Sequence, residues 1–319
     1  MNNFADRLIQ GVKQKRSHAV VGIDPVLSKL PAYMREEAAA KFGQTSRGAA
    51  AALVSFSRLV IDAVAEHVSL VKPQSAFFEV HGAPGVEAFW ETVRYARSKG
   101  LQVIADAKRG DIGTTAEAYA AAFFGHPNPL ESWEDPEQVT DCLTVNPYLG
   151  SDGLVPFVNR CQARGTGIFV LVKTSNPSSG ELQDQELFSG ENVAQQVAKL
   201  VHYLGGRLVG ESGYASVGAV VGATYPEDLA RYRREMPRAI ILVPGYGAQG
   251  GTAADVPAAF NDDGLGAVIS ASRSVIFAYA KQGAPEPSPA EAREAIARAA
   301  EAMNREINQA LKDAGKLAW

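Results

Sequence analysis

The chain has 319 residues, 46% of them hydrophobic, with 31 Lys and Arg against 35 Asp and Glu and a net charge of −4. That length suits one large globular domain or two smaller ones, and the charge balance excludes a nucleic-acid surface or a polybasic membrane patch. With two cysteines, Cys142 and Cys161, and no CxxC, a disulfide framework is excluded and a reducing cytoplasm is the expected compartment.

The opening stretch, MNNFADRLIQGVKQKRS, reads as an amphipathic helix without the apolar core of a signal peptide, and no apolar run is long enough to span a bilayer. Eight short Val- and Ile-rich runs follow, each ending in a polar or Gly/Pro cluster: HAVVGID (18–24), VSLVKPQ (68–74), LQVIADAK (101–108), CLTVNPY (142–148), GIFVLVKT (167–174), ASVGAVVGAT (215–224), AIILVPG (239–245) and GAVISASR (266–273). Stretches of helical period, such as GVEAFWETVRYARSKG, lie between them. Strand alternating with helix implies a parallel sheet, and eight units of roughly 36 residues fit a closed (β/α)8 barrel better than an open sheet.

The expectation is a single α/β domain over 1–319, with a barrel core of about 18–280. It carries an extra N-terminal helix, and a segment after the first strand (25–67) long enough for two helices. GHPNPLESWEDPEQVTD (125–141) reads as a Pro- and acid-rich loop. A C-terminal helix spans about 288–315. There Ser288 as N-cap, Pro289 and Glu291 form a capping box, and Ile296, Ala299, Met303, Ile307 and Ala310 give an apolar stripe for packing on the barrel's helices.

Barrel active sites lie at the C-terminal ends of the strands. Here those ends carry Asp24, Lys72, Asp106, Lys108, Asn146, Lys173, Thr174, Ser175 and Arg273. Alternation puts Asp106 and Lys108 on one face of the third strand and Val103, Ala105 and Ala107 on the other, so the charged face points into the mouth. A structural salt bridge accounts for any one of these groups. Four of them (Asp24, Lys72, Asp106 and Lys108) on one rim point to a site, because inward charge is costly unless paired or used.

VPGYGAQGG (243–251) contains GxGxxG, but the next strand ends in Ser272 and Arg273 rather than in an acid, which opposes a dinucleotide fold. A phosphate cradle fits better, since barrels bind phosphate with the loops after strands 7 and 8 and Arg273 offers a planar fork. The five histidines (18, 67, 81, 126 and 202) form no HxH or HExxH, so spacing gives no metal pair, and there is no GxSxG nucleophile elbow. The hydroxyls of KTSNPSS are either turn chemistry or hydrogen-bonding groups for a polar ring. Arg109-Gly110-Asp111 spells an RGD adhesion motif, which its place at a barrel strand end opposes.

The string DAKRGDIGTT closely resembles the Asp-x-Lys-x-x-Asp-Ile/Val-x-x-Thr signature of the orotidine 5′-phosphate decarboxylase family. VGIDP, LVKPQ, VKTSNP, VPGYGAQGG and SASRS resemble its first, second, fifth, seventh and eighth strands in order, and the longer 25–67 segment with KPQSAFFE and VNPYLGSDG resembles its long bacterial (type 2) subgroup. The resemblance implies a homodimer with shared active sites and a nucleotide substrate, orotidine 5′-monophosphate, converted to UMP with no cofactor and no metal. Asp24 and Lys72 would bind the ribose and help hold the charge array. Asp106 would face the substrate carboxylate, and Lys108 would stabilise and protonate C6. Asp111, Ile112 and Thr115 would reach the neighbouring site. Ser175 would contact the pyrimidine, Pro244 would wall the pocket, Gln249 would bridge base and phosphate, and Ser272 and Arg273 would hold the phosphate. In this family a Gly usually precedes the phosphate Arg, where this chain has Ser272. The Gly-rich loop would close as a lid. Sugar-phosphate relatives that share the signature use Mg2+ and would need a carboxylate where this chain has Lys72, and a non-catalytic phosphate-binding barrel is the remaining alternative.

Overall fold

A computed structural model of the chain describes residues 3–125, 139–222, 226–245, 253–280 and 286–319. Eight strands form a closed parallel barrel in sequence order: β1 (Ala19–Ile23), β2 (Leu70–Pro73), β3 (Gln102–Arg109), β4 (Cys142–Val145), β5 (Gly167–Lys173), β6 (Ala215–Val221), β7 (Ala239–Pro244) and β8 (Ala267–Ala271), with β8 pairing back to β1. Each lies within one of the eight apolar runs except β3, which runs one residue past its run, to Arg109. Two helices, Ala32–Phe42 and Ser46–Val64, fill the segment between β1 and β2. Most of loop 125–141 (126–138) and most of the Gly-rich loop (246–252) lie outside the described residues. No described helix is long and apolar enough to cross a membrane.

Strand alternation divides the apolar residues into two clusters. Val21, Val71, Ala105, Leu143, Val170 and Ile241 face the surrounding helices, while Val20, Leu70, Ile104, Cys142, Phe169 and Leu242 fill the barrel. The helix Phe4–Lys15 joins the inner cluster through Phe4, Ala5, Leu8, Ile9 and Val12. Its apolar face stops the N-terminal end of the barrel. Phe4 packs edge-on against Phe169, with ring centroids 6.1 Å apart, and Arg7 donates to the Gly165 carbonyl ahead of β5 at 2.9 Å. Burying one such phenyl ring stabilises the fold by about 1.5–3 kcal/mol. Gly218 on β6 is required here: a Cβ would stand 2.6 Å from the Phe169 ring and 2.5 Å from the Ile240 carbonyl.

The C-terminal helix spans Pro289–Asp313, with the expected capping box on Ser288 and Glu291. Its buried stripe is Ala292, Ile296, Ala300, Met303, Ile307 and Leu311. Ala299 and Ala310 are only half-buried, which corrects the expected stripe by one position at each. A 3.6-residue period lets either neighbour occupy the seam, and packing favours the leucine at 311. Beyond this helix the chain returns under the barrel. Trp319 stacks on His18 at 4.9 Å, and Phe260 meets His18 edge-on at 4.7 Å.

Burial pushes the His18 imidazole from its ordinary 6.5 down to about 4. A depressed base is protonated first in the unfolded chain, so stability falls as pH drops from the ordinary value to the folded one. The expected loss is about 3 kcal/mol between these limits. Urea unfolding across this range should show the slope, and His18→Phe should remove its share.

Candidate active site

Two neighbouring strands, β2 and β3, supply the charge cluster. Lys72 is the last residue but one of β2, Asp106 lies on β3, and Lys108 follows it two residues later. Lys72 Nζ donates to Asp106 Oδ2 at 2.6 Å, and Lys108 Nζ donates to Asp106 Oδ1 at 2.6 Å. The pair Lys72 and Asp106 is buried, whereas the Lys108 side chain is 46% exposed at the mouth. Burial alone would raise the Asp106 carboxyl, but Lys72 and Lys108 outweigh it and hold the group well below the usual carboxylate range. Burial likewise opposes charge on Lys72, yet Asp106 and then Asp24 raise its pKa. Both members of the buried pair are therefore charged at neutral pH. One Asp24 carboxylate oxygen is buried with no hydrogen-bond partner among the described residues, an acceptor aimed into the polar rim.

The third strand is not regular where it carries this chemistry. Ala105 aligns with Leu143 on β4, but Arg109 aligns with Val145, so β3 bulges between them. Lys108 takes a left-handed backbone conformation, φ 47°, which costs about 1–3 kcal/mol for a residue with a side chain. Simple alternation predicts the shared face of Asp106 and Lys108 but neither the bulge nor the strain. A missed residue sits beneath both: Thr144 of β4 donates its hydroxyl to Asp106 Oδ1 at 3.0 Å and accepts the Lys108 N–H at 3.0 Å. Its only sequence signal is its inward parity on β4.

Around the rim, Lys173 at the end of β5 is fully enclosed and donates to both oxygens of Asp184, at 2.6 and 2.7 Å. Beside it Gln183 accepts the Thr174 N–H at 2.9 Å and donates to the Thr174 hydroxyl at 2.8 Å. These contacts tie down the chain on either side of the half-buried Ser175, whose other flank meets Gly222, where a Cβ would stand 3.0 Å away. Gln74 caps its own turn, accepting the Ala76 N–H at 3.4 Å. Pro244 ends β7 in register with Ser270. Ser272 donates to the Gly22 carbonyl at 3.3 Å and precedes Arg273, which is exposed and pairs with no described acid. Gln249 lies outside the described residues.

Asp111, Ile112 and Thr115 are not part of this chain's cluster. Asp111 is half-buried and accepts the Ile112 N–H at 2.8 Å, with no ion pair to Lys72 or Lys108 among the described residues. Ile112 is 52% exposed, and Thr115 is exposed on the first turn of the helix Gly113–Phe124.

The cluster can stabilise negative charge and deliver a proton at its open end, because the exposed ammonium is oriented by a carboxylate that a second, buried ammonium keeps ionised. Removing the shared carboxylate strands the buried lysine, so Asp106→Ala should lower stability by about 3–5 kcal/mol. Lys108→Ala removes a half-exposed partner and should cost about 1 kcal/mol or less. Paired urea titrations at pH 7 check the contrast.

A family model described as Orotidine 5′-phosphate decarboxylase / HUMPS family matches residues 55–286. The chain is 47% identical over 283 residues to the orotidine 5′-phosphate decarboxylase of Rhodopirellula baltica, across 88% of this chain and 91% of that one. It is 42% identical over 275 residues to that of Deinococcus radiodurans, across 86% and 89%. The structure of Leishmania donovani OMP decarboxylase superposes with a TM-score of 0.71 at 31% identity, covering 97% of this chain and 98% of that one. Together with the closed barrel and its charged mouth, these matches mean that the chain is a carboxy-lyase belonging to the orotidine 5′-phosphate decarboxylase / HUMPS family.

Proposed function

We propose that this enzyme decarboxylates orotidine 5′-monophosphate to UMP in de novo pyrimidine biosynthesis, with no cofactor and with Lys108 as stabiliser and proton donor. The observation that carries the reading is the single carboxylate of Asp106 shared between Lys72 and Lys108 at 2.6 Å each, with Lys108 toward the opening. The bond from C6 to the carboxylate breaks, CO2 departs, and the electron pair stays on C6 in the plane of the ring. No π system delocalises that pair, so the protein must stabilise it through space. An ammonium about 4 Å away contributes roughly 4 kcal/mol at an effective dielectric of 20. That is near a thousandfold, since each ~1.4 kcal/mol is tenfold. One N–H proton of Lys108 then moves to C6, and the neutral amine regains a proton from water.

One lysine does not account for a very slow reaction. Asp106 beside the substrate carboxylate adds repulsion relieved as CO2 leaves. Asp24 and Lys72 bind the ribose, and Ser175 reads the pyrimidine edge. Pro244 walls the pocket, and Gln249, Ser272 and Arg273 bind the phosphate, whose remote binding energy drives closure. Asp111, Ile112 and Thr115 serve the neighbouring site of a homodimer. What supports this is the exposed apolar surface around them, Ile112 and Leu149 about half exposed and Tyr148 76% exposed.

Loss of orotidylate absorbance, followed with purified protein, tests the reading. Activity should survive EDTA and be nearly abolished in Lys108→Ala; no turnover by the parent would end the proposal. A substrate lacking its phosphate should lose kcat as well as affinity. Mixing Lys108→Ala with Asp111→Ala should restore activity toward about a quarter of the parent's, because half the re-formed dimers carry one intact site.

A further inference from the structure

Thr144 belongs to none of the roles assigned above, yet its side chain bonds both Asp106 and Lys108 across the β3 bulge. It is 1% exposed, on the inward face of β4. A hydroxyl has one hydrogen to give, and here it goes to Asp106 Oδ1 at 3.0 Å. The lone pairs then face the Lys108 N–H, which they accept at 3.0 Å. In a regular parallel ladder that N–H would face β2, as the Gln102 N–H and the Asp106 carbonyl do. The register shift from Ala105 opposite Leu143 to Arg109 opposite Val145 turns it toward β4 instead, where the threonine oxygen accepts it.

We propose that Thr144 is a positioning residue: its hydroxyl pins Lys108 in the left-handed backbone conformation while fixing the Asp106 oxygen that aims the Lys108 ammonium. The strained φ of 47° occurs where the Lys108 N–H has this buried acceptor. The same oxygen bonds the carboxylate atom that receives Lys108 Nζ, so one side chain sets both ends of the lysine, its backbone and its charged tip. Glycine would adopt this φ without strain but could supply no ammonium. The chain instead combines a lysine with a neighbour that enforces the geometry.

The activity readout rests on the decarboxylation reading; the structural readout does not. Thr144→Val keeps the shape and deletes the hydroxyl, and Thr144→Ser keeps the hydroxyl and deletes the methyl group. With orotidine 5′-monophosphate as substrate, Thr144→Val should lose kcat by about a hundredfold, the scale of a misplaced reacting group, with KM within about threefold. Thr144→Ser should stay within about threefold of the parent in both. If Thr144→Val fails to fold, Thr144→Ala takes its place against the serine variant. A crystal structure of the hydroxyl-free variant should show Lys108 out of the left-handed region or its Nζ displaced from Asp106. Equal losses in the serine and valine variants would mean packing and overturn the inference, as would unchanged kcat or an unchanged Lys108 geometry without the hydroxyl. If the parent itself does not turn over orotidylate, the decarboxylation reading falls, and the Lys108 geometry in the variant alone decides the role of Thr144.

Discussion

One carboxylate holding two ammonium groups is the constraint around which the barrel's mouth is built. Asp106 is buried, so its charge must be compensated, and Lys72 and Lys108 do this from two sides. The compensation is more than complete, since two cations meet one anion, and Asp24 adds a second acid beside Lys72. Such an array keeps its strength only where water is scarce beneath it. The N-terminal helix serves that purpose at the opposite end, where Phe4, Leu8 and Val12 close the barrel and leave apolar side chains below the charges. The charged rim thus stands over a dry interior and opens at one end.

The rim carries a second enclosed lysine whose chemistry differs because its partners differ. Lys173 gives its hydrogen bonds to both oxygens of one carboxylate, Asp184, which no other described cation shares. It is an internal tie, and with Gln183 and Thr174 it holds the turn that carries Ser175. Lys108 shares its acceptor with Lys72 and Thr144 and keeps nearly half of its side chain exposed. Residue type does not separate the anchoring Lys173 from Lys108; the division of the acceptor and the exposure of the amine do.

Much of the scaffold was legible in local pattern. Val- and Ile-rich runs give the eight strands because β-branched side chains on both faces of a strand need burial on both faces. The capping box at Ser288 is a three-residue signal and needs no tertiary information. Strand parity alone places Asp24, Lys72 and Asp106 inward. What was illegible is non-local. The pairing of Lys173 with Asp184 depends on how a loop folds back, and the part of Thr144 depends on the register between β3 and β4. The N-terminal helix shows its apolar stripe in sequence, but its place as a stopper under the barrel follows only from what the stripe meets, Phe169 above all.

The crowding of two acids and two bases into DAKRGD resolves once the bulge is taken into account. Up to Lys108 the strand alternates, so Asp106 and Lys108 enter the mouth while Ala105 and Ala107 face the helices. The left-handed step at Lys108 then shifts the register, so that Arg109 pairs with Val145. Arg109 lies against the outer face, paired with Glu79 and set over the rings of Tyr119 and Phe123. Asp111, five residues after Asp106, ends on the side of the barrel wall where Ile112 is exposed. Among the described residues Asp111 makes no ion pair with Lys72 or Lys108, while Lys108 reaches Asp106. The proposed dimer accounts for both facts. Each subunit of that dimer would complete three charges of its own site and lend the fourth to its partner's.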